Sequence, residues 1–160
     1  MLYSSSLVVF NSTFLNTSAQ TGGAVLSFNG SSAVLQGCDL TEGSAVVGGG
    51  ATAVTNSTLT LIESTVEDCV ASGGQFMAAG GGVAVFDFSV GDFLATGFTG
   101  NSAPQRAGGC IFGWSNSQLS AQGCSFSGCS AEILGGGILA SGVVLTVVVR
   151  PSHASVLILF

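Results

Sequence analysis

"FTGNSAPQRAGGCIF", residues 98–112, has two adjacent glycines, a cysteine where a strand would begin, and a single charge at Arg106. Its opening, an apolar residue followed five positions later by Ala, recurs along the chain. The matches are "FLNTSA" (14–19), "LTEGSA" (40–45), "VEDCVA" (66–71), "FTGNSA" (98–103) and "FSGCSA" (126–131). Ala takes the fifth place after the anchor in all five, and Ser precedes it in four. The anchors stand 26, 26, 32 and 28 residues apart. Residues 98–112 are therefore the fourth copy of a repeat.

Each copy runs on into a glycine cluster and an apolar stretch: "GGAVLSF", "GGGATAV", "GGGVAVF", "GGCIF" and "GGGILA". Upstream of the anchors, apolar residues alternate with others, as in Leu7/Val9, Ala33/Leu35, Leu59/Leu61 and Leu119/Ala121. "GGQFMAA" (73–79) reads as an insertion that accounts for the longest spacing. The periodicity is two, with no stretch of helical period, and Gly, Ser and Asn turns punctuate it. This predicts an all-β chain: a right-handed parallel β-helix (solenoid) of about five coils, with three short strands per coil. The repeats fill residues 1–141. Residues 142–160 predict a partial last coil, the first strand of a sixth coil followed by an irregular apolar tail. "VVLTVVV", ahead of Arg150 and Pro151, is too short to span a bilayer.

Coils hydrogen-bonded at a strand spacing of about 4.8 Å pile like positions into columns along the axis. The anchor then points inward, each burial stabilising by roughly 1.5–3 kcal/mol. The Ala sits at a corner with room for only a methyl group. The glycine pair supplies a positive φ or a close backbone approach.

Composition narrows the functions. Only 6% of residues are charged, against about 25% in an average soluble domain. Lys is absent, Arg is confined to Arg106 and Arg150, and the formal net charge is −6. Nucleic acid is excluded as a partner, because phosphate binding needs clustered basic residues. A P-loop needs a Lys, and the glycine runs lack dinucleotide-binding spacing. With 25 Gly but only 2 Pro and abundant apolar residues, the chain is not of disordered composition. Ser, Thr, Asn and Gly carry its solubility in place of charge.

The reactive side chains are few. Five cysteines is an odd number, which rules out a fully paired framework within one chain. Cys38 and Cys124 stand two before their anchors, and Cys69 and Cys129 three after theirs, while Cys110 opens a post-glycine strand. Partners in one column but two or three coils apart lie roughly 10–14 Å from each other, beyond disulfide reach. The expectation is free, buried cysteines acting as small hydrophobes, with a Cys124–Cys129 bridge as the alternative and a metal site weaker still.

Asp39, Glu42, Glu67 and Asp68 cluster in register. They could hold Ca²⁺, serve as a carboxylate pair in sugar chemistry, or line a solvated turn. The last is adopted, since no Lys or Arg is close in register. His153, the sole His, follows Pro151 beyond the repeats, an ill-suited place for a rigid catalytic triad. No residue is assigned a catalytic, cofactor-binding or metal-binding role. N-x-S/T sequons occur at Asn11, Asn16, Asn29 and Asn56, glycan acceptors if the chain is secreted from a eukaryotic cell. The N-terminal "MLYSSSLVVF" lacks the basic region and cleavage site of a signal peptide.

"FTGNSAPQRAGGCI" resembles the repeat of the chlamydial polymorphic outer-membrane proteins, F-x-x-N followed by G-G-A and an apolar residue. Phe98 and Asn101 match its first half, and Gly22, Gly23, Ala24 and Val25 match the second half in another copy. The resemblance covers about residues 6–141. It implies a right-handed β-helix of the pectin-lyase-like kind, exposed at a cell surface or secreted, and implicated in adhesion. Only the fourth copy has the Asn, only the first has G-G-A-V, and the ten-residue amphipathic strands of a membrane barrel do not appear.

Two functions follow as expectations. The first is a non-catalytic segment of a secreted or cell-surface (outer membrane-associated) β-helix protein, acting as an adhesive or structural rod. Its partners would be carbohydrate or a cell-surface protein, flanking coils of a longer parent chain, and copies of itself through open coil ends. The alternative is a fragment of a pectin-lyase-like carbohydrate-active enzyme using the Asp39/Glu42/Glu67/Asp68 region. The first is preferred, because the repeats are regular and ionisable groups scarce.

Overall fold

The structure, a computed structural model, describes residues 1–73, 80–105, 107–154 and 158–159. Most of the "GGQFMAA" insertion and Arg106 thus lie outside the described residues. Alternation of apolar and polar residues gives short strands, and most of them end where the chain enters the left-handed region.

The first coil holds β1 (Leu2–Tyr3), β2 (Ser6–Phe10), β3 (Thr13–Leu15) and β4 (Ser18–Thr21). The second holds β5 (Val25–Phe28), β6 (Ser32–Gln36), β7 (Asp39–Thr41) and β8 (Ser44–Val47). The third holds β9 (Thr52–Thr55), β10 (Thr58–Ile62), β11 (Thr65–Glu67) and β12 (Val70–Ala71). The fourth holds β13 (Val83–Phe86), β14 (Val90–Leu94), β15 (Gly97–Thr99) and β16 (Ser102–Ala103). In the fifth, β17 (Ile111–Trp114) leads to β18 (Gln118–Ser127) and β19 (Ser130–Ala131). Beyond it come β20 (Ile138–Ser141), β21 (Val144–Ala154) and β22 (Ile158–Leu159). β21 pairs with β18 with register shifts after Gln122 and Cys124, and β22 pairs with β20.

Three parallel sheets run the length of the stack. One has seven strands, β1-β5-β9-β13-β17-β20-β22, and one has five, β19-β16-β12-β8-β4. The third bends in each of the first four coils, so that β2, β6, β10 and β14 form one wing and β3, β7, β11 and β15 the other, joined through β18. The result is a parallel β-solenoid of about five coils. Its three sheets carry four strand segments per coil, because one side folds at a left-handed residue.

The anchors form a single column. Phe14 pairs with Leu40, Leu40 with Val66, Val66 with Phe98, and Phe98 with Phe126. All but Phe14, which is half-buried on the first rung, are buried. The Phe98 and Phe126 rings lie stacked, centroids 5.2 Å apart and 4° from parallel. Phe93 meets Phe98 edge-on at 5.6 Å. Ala19, Ala45 and Ala71 are likewise register partners, as are Ala103 and Ala131.

The corners are left-handed in column after column. Three before each anchor stand Asn11, Gly37, Glu63, Ala95 and Gly123, with φ of 46, 61, 48, 50 and 63°. Two after it stand Asn16, Glu42, Asp68, Gly100 and Gly128, at 52, 55, 51, 64 and 62°. Ten before it stand Ser4, Gly30, Asn56, Phe88 and Asn116, at 46, 76, 47, 56 and 56°. Gly108 (φ 73°) turns the fourth corner, and Gly109 beside it has a different reason to be glycine. A Cβ on Gly109 would strike the carbonyl of Gly136 and lie 2.6 Å from Ser130 N. Both requirements named from the sequence, positive φ and close approach, fall to adjacent glycines.

Hydroxyls close the corners from inside. Ser5, Ser31, Ser57, Ser89 and Ser117 each stand nine residues before an anchor. Ser31 N donates to Ser57 Oγ (3.1 Å), and Ser57 N to Ser89 Oγ (3.2 Å). Ser31, Ser89 and Ser117 turn their hydroxyls back to the carbonyl three residues earlier, as Ser31 does to Phe28 O at 2.8 Å, and Ser5 reaches the carbonyl two residues earlier. A second column, Ser12, Cys38, Ser64, Thr96 and Cys124, donates to the carbonyl two residues back. Ser64, Thr96 and Cys124 also reach a carbonyl of the preceding coil.

Substitutions should follow these columns. Gly109→Val is expected to destabilise by about 1–3 kcal/mol or more through overpacking, while Thr99→Val, on an exposed strand position, should stay within about 0.5 kcal/mol of the parent. Urea denaturation midpoints decide between them. Ala95→Gly should stabilise by up to about 1 kcal/mol, because it relieves a left-handed non-glycine residue. Gly100→Ala should destabilise, as it adds strain and strikes the Asp68 carboxylate. Thermal unfolding of this pair should move in opposite directions.

Candidate functional site

The four clustered carboxylates sit on two neighbouring coils, at and beside one corner. Glu42 and Asp68 are successive members of the left-handed column, and Glu42 N donates to Glu67 O at 3.0 Å. Asp39 pairs in register with Thr65, whose hydroxyl donates to Asp39 Oδ1 at 2.7 Å, and Glu67 pairs with Thr41. All four acids are exposed. The fold thus brings them to one edge but spreads them along it, facing solvent. Among the described residues, no three His, Cys, Asp or Glu side chains group in a way that could hold a metal ion. His153 falls within β21 and away from this corner in sequence.

The cysteines divide differently from the sequence expectation. Cys38, Cys69 and Cys124 are free and buried, as expected. Cys110 and Cys129 are bridged, with Cα atoms 5.4 Å apart. This corrects the expectation that they are free, and with Cys124 unpaired the alternative Cys124–Cys129 bridge is also overturned. The reason is cross-sectional. Reach was judged along single columns, whereas these two residues belong to different columns that face each other inside the coil. The post-glycine column packs against the column three after the anchor: a Cβ on Gly82 would lie 3.3 Å from Asn101 Cγ. One rung further along the axis, the same two positions are Cys110 and Cys129.

Between Cys69 and Cys129 in that column stands Asn101, fully buried. Its Oδ1 accepts from Cys69 N (3.0 Å), and its Nδ2 donates to Val66 O (2.8 Å). The Asn of the F-x-x-N resemblance is thus a structural amide spanning one coil step. Burial is the main cause that pushes the Cys69 thiol up to about 11, with Asp68 and Glu67 adding to it and hydrogen bonds at Gly43 and Glu67 opposing. Burial also raises Cys124. These thiols are structural, since thiolate character and exposure govern reactivity.

Two surface features were not anticipated from the sequence. The outer face of the seven-stranded sheet carries Tyr3, Phe28, Thr55 and Phe86 as register partners. Tyr3 and Phe28 lie 6.1 Å apart, Phe86 and Phe112 5.8 Å, and Phe112 stacks on Trp114 at 6.0 Å and 9°. Phe86 and Phe112 join Ala84 and Leu139 in a second apolar cluster, while Tyr3 and Trp114 are 60% and 48% exposed. Spacing could have found part of this stripe, because Phe28, Phe86 and Trp114 each stand twelve residues before an anchor. On the outer face of the ten-stranded sheet, a shallow groove of about 220 Å³ is lined by Thr60, Ile62, Asp92, Leu94, Ser120 and Gln122. It is smaller than the roughly 300–1,000 Å³ of small-molecule sites.

Comparison of the chain with known protein families, curated proteins and solved structures finds no match. The class rests on the fold: a parallel β-solenoid of about five coils, consistent in general with the pectin-lyase-like superfamily. That fold hosts structural, adhesive and enzymatic proteins alike, and fold alone does not choose among them.

With the disulfide intact, the chain should hold three thiols, all unreactive toward an aromatic disulfide reagent at pH 8 and all titratable after unfolding. The raised Cys69 thiol adds stability that is complete below its ordinary value of 9.0 and is lost as pH rises through about 11. The urea midpoint should therefore fall across that window more steeply in the parent chain than in Cys69→Ala.

Proposed function

We propose that this chain is a non-catalytic segment of a secreted or cell-surface β-helix protein that serves as a structural or adhesive rod. The observation that carries the reading is the column order. Anchors, alanines, serines and left-handed corners each repeat in register through successive coils, so that nearly every slot is occupied by packing. The candidate acids fit that pattern, since Glu42 and Asp68 hold corner positions that other coils fill with Asn or Gly. The half-buried Leu7, Val9 and Phe14 on the first rung, packed against the core, support flanking coils in a longer parent chain. The exposed Tyr3 and Trp114 of the aromatic stripe support adhesive contact with carbohydrate or a surface protein.

Export is supported by the Cys110–Cys129 bridge, because structural disulfides persist chiefly in oxidising compartments. The F-x-x-N/G-G-A resemblance points to the same setting, an exposed passenger similar to the chlamydial polymorphic outer-membrane repeats.

The deciding experiment is incubation with pectin, polygalacturonate and other glycans, followed by assays for new reducing ends and unsaturated products. Neither is expected. Product that disappears in Glu42→Gln or Asp68→Asn would overturn the rod in favour of the carbohydrate-active enzyme.

A further inference from the structure

Asparagine is used in two physically distinct ways in this chain. Asn101 is buried with both amide atoms committed to hydrogen bonds. Asn11, Asn16 and Asn56 are exposed at left-handed corners. Among the described residues, no hydrogen bond engages their side-chain amides. The corners themselves do not dictate Asn, since the same columns hold Gly37, Glu63 and Ala95, Glu42 and Gly100, or Phe88. Nor does the fold dictate the hydroxyl two residues on: Thr13 pairs with Asp39, and Thr58 with Val90.

We propose that Asn11, Asn16 and Asn56 are N-glycosylation sites of the folded rod and that Asn29 is left bare. Asn29 shares the left-handed φ, at 47°, but it is half-buried and its sequon hydroxyl, Ser31, is buried. Ser31 Oγ donates to Phe28 O and accepts from Ser5 N, so it is withdrawn into the serine column. Thr13 and Ser18 are exposed, and Thr58 is half-buried.

The donor is a lipid-diphosphate-linked oligosaccharide. The Asn Nδ2 forms a bond to the anomeric carbon as the bond from that carbon to the diphosphate oxygen breaks. The lipid diphosphate leaves with the electron pair, the amide proton passes to a base, and nothing is oxidised or reduced. The oxidising compartment that supports the Cys110–Cys129 bridge is also the one in which this transfer occurs.

The gain is hydration where charge is missing. Asn11 adjoins Phe10 and Asn16 adjoins Leu15, side chains 58% and 61% exposed, in a chain with no Lys. Exposed strand faces of this kind invite association, and a bulky, solubilising glycan at each corner opposes it.

The inference rests on the export reading above, so the test imposes the compartment. The full chain, carrying a heterologous leader peptide, is expressed in a glycosylating eukaryotic cell. It is then treated in heavy-oxygen water with a glycosidase that converts each occupied Asn to labelled Asp, and its peptides are read by mass spectrometry. Label is expected at Asn11, Asn16 and Asn56 and not at Asn29. Thr13→Ala, Ser18→Ala and Thr58→Ala should each abolish label at one Asn, although every left-handed Asn is kept. Chain retained inside the cell is read in the same way, since transfer happens in the lumen. Absence of label at the three corners overturns the sites and leaves the rod reading standing. Label at Asn29 equal to theirs overturns the selection by burial.

Discussion

Register between successive coils governs everything else in this molecule. Each backbone amide on a strand finds its partner in a neighbouring coil, so each side chain lies roughly 4.8 Å from its counterpart above and below. A coil that turned one residue early would slide every later side chain out of its column and onto the other face. The chain prevents this by fixing the corners. Three left-handed columns stand at constant distances from the anchor, and a glycine pair makes the fourth turn. Coil length varies only between the Ala column and the glycine cluster, where the third copy carries the insertion and the fourth is two residues longer than the first two. Left-handed φ at Glu63, Ala95 and Phe88 costs roughly 1–2 kcal/mol per residue, and its retention shows how strongly the stack imposes it.

The same stacking explains the composition. A charge placed at a repeated position would face its own kind one coil away, costing about 1 kcal/mol per pair even in water and more against a low-dielectric wall. Hydroxyls and amides face no such penalty, since each can donate to one coil while accepting from the next. The Ser5-to-Ser117 column and the Cys69–Asn101 contact work in this way. Scarce charge is thus a consequence of columnar order. Glu42 over Asp68 is the exception, and both side chains are exposed where water screens them.

The fold was legible because its strongest signal, an apolar residue with Ala five places on, is a direct record of the inward column. The serine nine before every anchor was equally regular, yet Ser is so common here that its constancy hides in the background. The left-handed corners were illegible for another reason. Asn, Gly, Glu, Asp, Ala, Ser and Phe all occupy them, so conformation is conserved along the stack while residue identity is not. The Cys110–Cys129 bridge could not be found from register at all. Register relates positions within a column, while the distance between facing columns depends on the shape of the cross-section, here narrowed by small residues such as Gly82. The exposed acid corner was correctly grouped by register, but register says nothing about which way four carboxylates point.

Columnar order also constrains how such a rod can acquire a function. Catalysis needs unlike groups converging within a few ångströms, and in a stack they must come from neighbouring rungs that break the repeat on the same face. The corner with Asp39, Glu42, Glu67 and Asp68 breaks it, but with residues of a single charge sign. The outer face of the seven-stranded sheet breaks it in another way, by interrupting its column of aromatic rings, Tyr3, Phe28 and Phe86, with Thr55. Rings that share one repeat position present their faces at multiples of the coil rise. The departures from the repeat on the described faces are thus an acidic corner and an aromatic column, and columnar order fixes where such groups stand without assigning them a role.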